Sequence, residues 1–450
     1  MAQNVVINKN KTKGDTIAAD SIAGVKHQQM KIEYGDTGTA IQVSDANPFP
    51  VRLANNLATS DASIDAFGRL RVSEPFTLFD SKQLYDKRPL QWVESLTGSV
   101  SSTHYPNLAA TRMTVSTSSG DKVIRQSRMY IPYQPGKSFL VKMTGVMGNI
   151  KTGVRQRIGF FDAQNGLFFE QNGTALRVVR RSYTSGSAED TAVAQSSWNI
   201  DKMDGTGDSG ITLDMSKTQI FVIDFQWLGV GRVRFGFSIN GKLYYVHEMV
   251  HANIETNVYI SNPSLPCRYE IENTSATASS TYMDHICASV VSEGGYALNG
   301  VSFSVGRGIV TKTIPTSLTP LVMVRLQSAY NRALLSNFSV DILNTGNSNF
   351  HWALLLNPTI TGGTAASWNP VTNSFAEYDL AATGTVSGGY AIHSGYGASG
   401  NTKQTVNQEI FSSMIVAADV AGTSDILVLA AQVTTGSDGL LGTIGWREYH

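Results

Sequence analysis

The residue types best suited to chemistry stand together as His247-Glu248-Met249-Val250-His251, which matches the H-E-x-x-H pattern of zinc peptidases. On a helix, two histidines four apart share one face and converge on a single ion, with the glutamate as general base. On a strand they cannot. At about 3.3 Å per residue the two imidazoles start about 13 Å apart, whereas zinc–nitrogen bonds are only about 2 Å long. Glu270 and Glu272 lie at a suitable distance in sequence for a third ligand, so the element that carries the motif decides the chemistry.

The flanking residues favour a strand. Phe221, Ile223, Phe225 and Trp227, then Val233, Phe235, Phe237 and Ile239, place apolar side chains on alternate positions, the period of a strand with one buried face. Asn240-Gly241 between apolar runs signals a two-residue hairpin turn. Such a turn pairs 243–248 back onto 233–238 and sets His247 opposite Arg234. No capping Ser, Thr, Asp or Asn stands just before Leu243, and Leu-Tyr-Tyr-Val leads into His247. Two histidines on a sheet surface are therefore expected, with no catalytic, cofactor or metal residue assigned.

Other motifs weaken when their context is considered. Gly395-Tyr396-Gly397-Ala398-Ser399-Gly400 has the G-x-G-x-x-G spacing, but no βαβ pattern surrounds it, and a Gly/Ser loop is expected. Asp201, Asp204 and Asp208 offer oxygen ligands for calcium, yet the twelfth position from Asp201 is Thr212, where an EF-hand loop needs glutamate. An Asp-Gly turn is the alternative. Arg155, Arg157, Arg177, Arg180 and Arg181 form the most basic patch, read as a strand face available for inter-subunit salt bridges or, alternatively, for phosphate. Tyr183, Trp198, Trp227 and Tyr259 could stack on sugar rings if exposed, although large aromatics in a sandwich more often fill the core. Neither a Gly-x-Ser-x-Gly elbow, a Cys-x-x-Cys pair nor a P-loop is present.

Composition narrows the function classes. The 450 residues carry 35 basic and 35 acidic side chains, so no overall field draws the chain to nucleic acid or an anionic membrane. No apolar run reaches the length of a bilayer span, and Met1 to Asp15 lacks a secretory core, so synthesis in a cytoplasm without membrane insertion is expected. Cys267 and Cys287 are too few for a disulfide framework and are read as reduced thiols, with one bridge as the alternative.

The elements that must position these residues read as strands throughout. Residues 1–64 hold few large apolar side chains, a hairpin around Gly35-Asp36-Thr37-Gly38 and an extended exit at Pro48 and Pro50; they are expected to form an anchoring arm. Residues 65–314 show strands at 69–72, 122–130, 139–147, 156–161 and 176–181. Their turn signals are Asn165-Gly166, Asn172-Gly173, Asp204-Gly205 and Asn240-Gly241, as in a jelly-roll sandwich. Residues 315–450 form a second strand-rich region beginning at the segment from Pro315 to Pro320, with strands at 321–326, 338–343, 352–356 and 425–432. Short helices are possible at 81–92, against Pro89, and at 325–335.

Three blocks carry a family resemblance. GDTIAADSIAGVKHQQMKIEYG with NPFPV resembles an N-terminal module of tailed-phage virion proteins. DAFGRLRVSEPFTLFDSKQLYDKR is similar to such proteins, as is the stretch from GFFDAQNGLFFEQNG through WNIDKMDGTG and IDFQWLGVGRVRFGF to PSLPCRYEIENT. The resemblance implies a concanavalin-like jelly-roll core, a place in the virion and no catalytic motif to carry over. The resulting expectation is an all-β, non-enzymatic decoration, fibre, tail or collar component. It docks on other virion proteins through its N-terminal arm and acts as a homo-oligomer, a trimer being one form, with repeated copies adding avidity. The alternatives are a virion protein that binds a host receptor or glycan and, third, a zinc peptidase.

Overall fold

The structure, a computed structural model, describes residues 74–297, 300–400, 403–406 and 414–449, together with 5–7, 15–17, 19–22, 25–28, 33–34 and 41–43. The chain divides into two compact units, Met1–Val72 and Ser73–His450. In the first, three short antiparallel ladders are described, and Glu33–Tyr34 pairs with Ile41–Gln42 around the expected hairpin. The Pro48–Pro50 exit and the strand expected at 69–72 lie outside the described residues.

The second unit is antiparallel β throughout. Its first sandwich packs an eight-stranded sheet on a seven-stranded one. The eight-stranded sheet runs, from one edge, Lys242–Met249, Val233–Ile239, Gln219–Phe225, Ser138–Val146, Thr281–Glu293, Ala110–Val115 and Val100–Tyr105, with Phe76–Lys82 pairing along the other half of Thr281–Glu293. The seven-stranded sheet runs Glu189–Ala194, Ala175–Ser182, Gly166–Asn172, Val154–Phe161, Cys267–Asn273, Lys122–Ser127 and Trp92–Thr97. This is the jelly-roll-like sandwich that the strand periodicity anticipates.

Alternation along each strand builds the core. Phe139, Val141 and Met143 from one sheet meet Ile158, Phe160 and Phe169 from the other, all buried. Each such side chain contributes about 1.5–3 kcal/mol on burial. Phe169 meets Phe235 edge-on at 5.5 Å, a geometry that suits the ring quadrupoles. The hairpin from Trp92–Thr97 to Val100–Tyr105 passes from one sheet to the other at Gly98, whose φ is +83° and where a Cβ would stand 2.1 Å from the Asp121 carboxylate. Only glycine fits both conditions. Both cysteines are free; Cys267 is buried and Cys287 half-buried.

Asn240 and Gly241, at φ +52° and +77°, form the anticipated turn. The register departs from expectation by one residue, because Phe235 rather than Arg234 faces His247 and Arg234 faces Glu248. A bulge between Phe235 and Gly236 causes the shift, and a Cβ on Gly236 would lie 2.5 Å from the Tyr244 carbonyl.

The second sandwich packs two six-stranded sheets. Val301–Gly306 and Lys312–Pro315 both pair with Ser437–Glu448, so strands expected on the central side of residue 315 belong to this sandwich. Between the strands Phe76–Lys82 and Trp92–Thr97, residues 83–91 form bends and turns, and the only helical turn within 325–335 is the 3-10 turn Ser328–Tyr330. Proline and the demands of packing on neighbouring strands leave no room for longer helices. Among the described residues no helix is long and apolar enough to cross a membrane. Two ion pairs tie the sandwiches together, Arg332 to Asp162 at 2.6 Å and Arg128 to Asp425.

Candidate functional site

The H-E-x-x-H residues are dispersed by the strand that carries them. His247 is buried, and its Nδ1 accepts the N–H of Asn199 at 3.2 Å. His251 lies beyond the strand end, donates from Nδ1 to the Gly231 carbonyl at 2.6 Å and stacks on Tyr259 at 4.3 Å. Burial holds both imidazoles below their usual pKa. Glu270 and Glu272 lie on the other sheet, so the four residues do not assemble. Among the described residues no three His, Cys, Asp or Glu side chains gather as an ion site.

The other sequence candidates are engaged structurally. Asp201 turns inward to accept the N–H groups of Met203 and Ser209, both at 2.8 Å, while Asp204 and Asp208 are exposed. Gly395 and Gly397 lie on the strand Tyr390–Gly397, where a Cβ would collide with the rings of Trp352 and Phe350. These glycines admit aromatic rings instead of a pyrophosphate. Trp198 and Tyr259 are core residues, and Trp227 packs on the core with its N–H on the Ile260 carbonyl at 3.0 Å. Tyr183 is half-buried.

The arginine patch becomes a locked charge ladder on the outer face of the seven-stranded sheet. Arg157 donates to Glu170 at 2.9 Å and to Glu270 at 3.1 Å, Arg155 to Glu272 at 2.8 Å, and Arg181 to both oxygens of Asp190 at 2.7 and 2.8 Å. Arg177 approaches Glu170 at 3.6 Å, whereas Arg180 points to the opposite side and pairs with Glu255. Burial disfavours the charge on Glu270, but Arg268, Lys122 and Arg157 outweigh it and hold this carboxyl well below the usual range. A carboxylate so held cannot supply a proton near neutral pH.

A second polar cluster, not anticipated from the sequence, lies between the two sheets. Arg125, fully buried, donates to Nδ1 of His285 at 3.1 Å, to Gln83 at 3.2 Å and to the Lys87 carbonyl at 2.8 Å, and pairs with Glu94. His285 stacks on Tyr269 at 4.1 Å. Burial, reinforced by Arg125, keeps its imidazole well below the usual pKa.

The open surface lies on the outer face of the eight-stranded sheet. Thr281–Glu293 pairs with Ala110–Val115, bringing Arg112 opposite Asp284, and the guanidinium binds both carboxylate oxygens at 2.8 Å. Asp284 raises the pKa of Arg112 and neutralises it. The guanidinium carbon sits 3.8 Å from the ring centre of Tyr282 and 5.2 Å from that of Tyr105. Both rings remain open to solvent, at 43% and 40% exposure. They form a neutral, rigid pair of aromatic platforms.

Tyr282 also forms one wall of a cavity of about 230 Å³, which Asn149, Ser216, Ser279, Ser280 and Thr281 line with polar side chains. Lys151 binds Ser279 through its hydroxyl at 2.8 Å and its carbonyl, fixing the rim. The Thr281 side chain is only 8% exposed, and its hydroxyl has no protein partner. A buried hydroxyl without a protein partner costs about 1–3 kcal/mol. The sequence contains a partial signal: Tyr282 and Asp284 alternate with Met283 and His285. The pairing that adds Arg112 is long-range and invisible to local periodicity.

No family model and no curated protein matches the chain by sequence. Solved structures match about half of it. A Bacillus licheniformis β-glucanase is 11% identical over 49% of this chain and 99% of its own, with a TM-score of 0.29. Peanut lectin is 12% identical over 49% and 97%, at 0.27. The CBM2 module of the Lactobacillus casei BL23 phage J-1 evolved Dit is 7% identical over 50% and 100%, at 0.30. Such low scores assign neither ligand nor activity. Glycoside hydrolases are among the matched structures, and the sequence expectation of a non-enzymatic protein is withdrawn.

Proposed function

We propose that the protein is a saccharide-binding component of a tailed-phage particle, with Tyr105, Arg112 and Tyr282 as the platform and the Thr281 cavity as the adjoining polar subsite. The exposed Tyr–Arg–Tyr ladder carries this reading. A sugar ring presents C–H bonds on its face and hydroxyls at its edge. Flat tyrosines suit the first and the cavity's hydroxyl and amide side chains the second. Because Asp284 neutralises Arg112, the platform suits uncharged saccharides. The place in a particle is supported by the phage-like sequence blocks, and residues 1–64 act in this reading as the arm that docks on other virion proteins.

A glycan array with the full chain and with Tyr282→Ala tests the binding. Spots bound by the parent and weakened at least tenfold in the variant support it, whereas equal binding by both removes the platform from the reading. Release of soluble fragments from a bound glycan would move the protein to the catalysts. A chain lacking residues 1–55 should fold but fail to join particles; normal incorporation would contradict the docking role.

A further inference from the structure

Gly300-Val301-Ser302-Phe303-Ser304-Val305-Gly306 reads the same in both directions. Its strand, Val301–Gly306, forms an edge of the second sandwich, with Ser437–Glu448 as its only ladder partner among the described residues. The parity of that ladder is fixed just beyond it, where the Arg307 N–H donates to the Gly442 carbonyl at 3.2 Å. In an antiparallel pair every second residue turns both main-chain groups to its neighbour. Val301, Phe303 and Val305 are therefore bonded inwards, and Ser302 and Ser304 turn their N–H and C=O groups out to the free edge.

Such a row of main-chain groups accepts a further extended chain, and sheets commonly guard their edges against it. Glu189 and Asp190 open the edge strand Glu189–Ala194, and a lysine and a bulge mark Lys242–Met249. Lys87 covers the Ser102 carbonyl of Val100–Tyr105 at 3.3 Å, and Pro370 ends Asn369–Pro370. The edge at 301–306 has no charge, no proline and an unbroken register, and both of its serines are exposed.

The palindrome selects the occupant. Laid antiparallel on a second copy about a two-fold axis at Phe303, the strand sets Val301 against Val305, Ser302 against Ser304 and Phe303 against its own counterpart. The outward-facing serines then meet each other and exchange about four main-chain hydrogen bonds across the axis. Phe303, bonded inwards, falls at a non-hydrogen-bonded position, where side chains approach most closely and an aromatic pair is stabilising. Its ring is half-buried on Trp446 at 6.2 Å, which leaves part of it to be covered. Ile309 and Val310, 95% and 65% exposed just past Gly306, lie towards the end of the edge that Gly300 of the second copy reaches. We infer that two copies join edge to edge through residues 300–306, merging a six-stranded sheet from each into one continuous sheet. The contact is isologous and closes as a dimer, and it does not depend on the saccharide reading.

Sedimentation of the full chain gives the test and should show a concentration-dependent dimer. Ser304→Pro removes one outward N–H at an edge position, where proline is tolerated, and should weaken the dimer at least tenfold with unchanged circular dichroism. Ser304→Lys takes its place if the proline variant misfolds. Oxidised Phe303→Cys should form a disulfide-linked dimer that the parent, with Cys267 and Cys287, does not, because the axis brings the two Cα atoms to about 4.5 Å. If Phe303→Cys misfolds, an oxidised mixture of Ser302→Cys and Ser304→Cys should cross-link more than either variant alone. A parent that stays monomeric at every concentration, an assembly that Ser304→Pro leaves intact, or cross-linking of Ser302→Cys alone in preference to the mixture would overturn the contact.

Discussion

The two outer faces of the first sandwich use the same residue types, arginine, carboxylate and aromatic ring, in opposite orders. On the seven-stranded sheet, Arg157 and Arg181 each lie 5.3 Å from the Phe168 ring and Arg268 lies 5.2 Å from that of Phe161, with both rings fully buried beneath. Charges cover the aromatics there, and carboxylates hold the charges. On the eight-stranded sheet the aromatics cover the charge, because Arg112 is neutralised by Asp284 and the rings of Tyr105 and Tyr282 face water. A ligand arriving at the first face would have to break buried ion pairs, whereas at the second it displaces water from apolar rings. The same composition therefore makes one face structural and leaves the other open for binding.

The comparison breaks most visibly at Glu270. Glu270→Gln leaves Arg157, Arg268 and Lys122 short of a buried counter-charge and should cost about 3–5 kcal/mol in chemical denaturation. A loss below about 1 kcal/mol would show that the ladder is not locked. Because the folded pKa of Glu270 is depressed, its contribution is complete above the unfolded carboxyl pKa and declines as pH falls towards the folded value. Acid titration of the melting temperature should be shallower in Glu270→Gln than in the parent.

A smaller effect comes from the core cluster. The folded pKa of His285 is depressed, so the unfolded chain takes up the proton first and stability falls as pH drops below about 6.5. One such group gives a slope of up to about 1.4 kcal/mol per pH unit, and His285→Gln should flatten it. An unchanged slope between pH 6.5 and 5 would assign the effect to other groups. The smallest stability change belongs to the open face: Tyr282→Ala should shift stability by less than about 1 kcal/mol, since its side chain lies at the surface, 43% exposed.

Local patterns specified much of this architecture. The alternation at 221–239 and the Asn240-Gly241 pair led to the correct hairpin, and strands at 139–147, 156–161 and 352–356 were legible for the same reason. The bulge at Gly236 was not, because a missing Cβ announces freedom without saying which neighbour will use it. The arginine patch was visible, but not its partners, since Glu270 and Glu272 are more than a hundred residues from Arg155 and Arg157. The same distance in sequence hid the Tyr–Arg–Tyr ladder: Arg112 and Asp284 meet only because a strand from 281 lies beside one ending at 115. Trp198 and Trp227 belong with the core, as large aromatics in a sandwich were expected to.

Saccharide binding measured on one array with the parent, Tyr282→Ala and Arg177→Ala tests the contrast between the faces most directly. Arg177 lies at the solvent margin of the ladder, with a third of its side chain exposed, so its loss should leave the fold intact. The account requires binding to fall at least tenfold in Tyr282→Ala and to persist in Arg177→Ala; loss in Arg177→Ala with retention in Tyr282→Ala would contradict it.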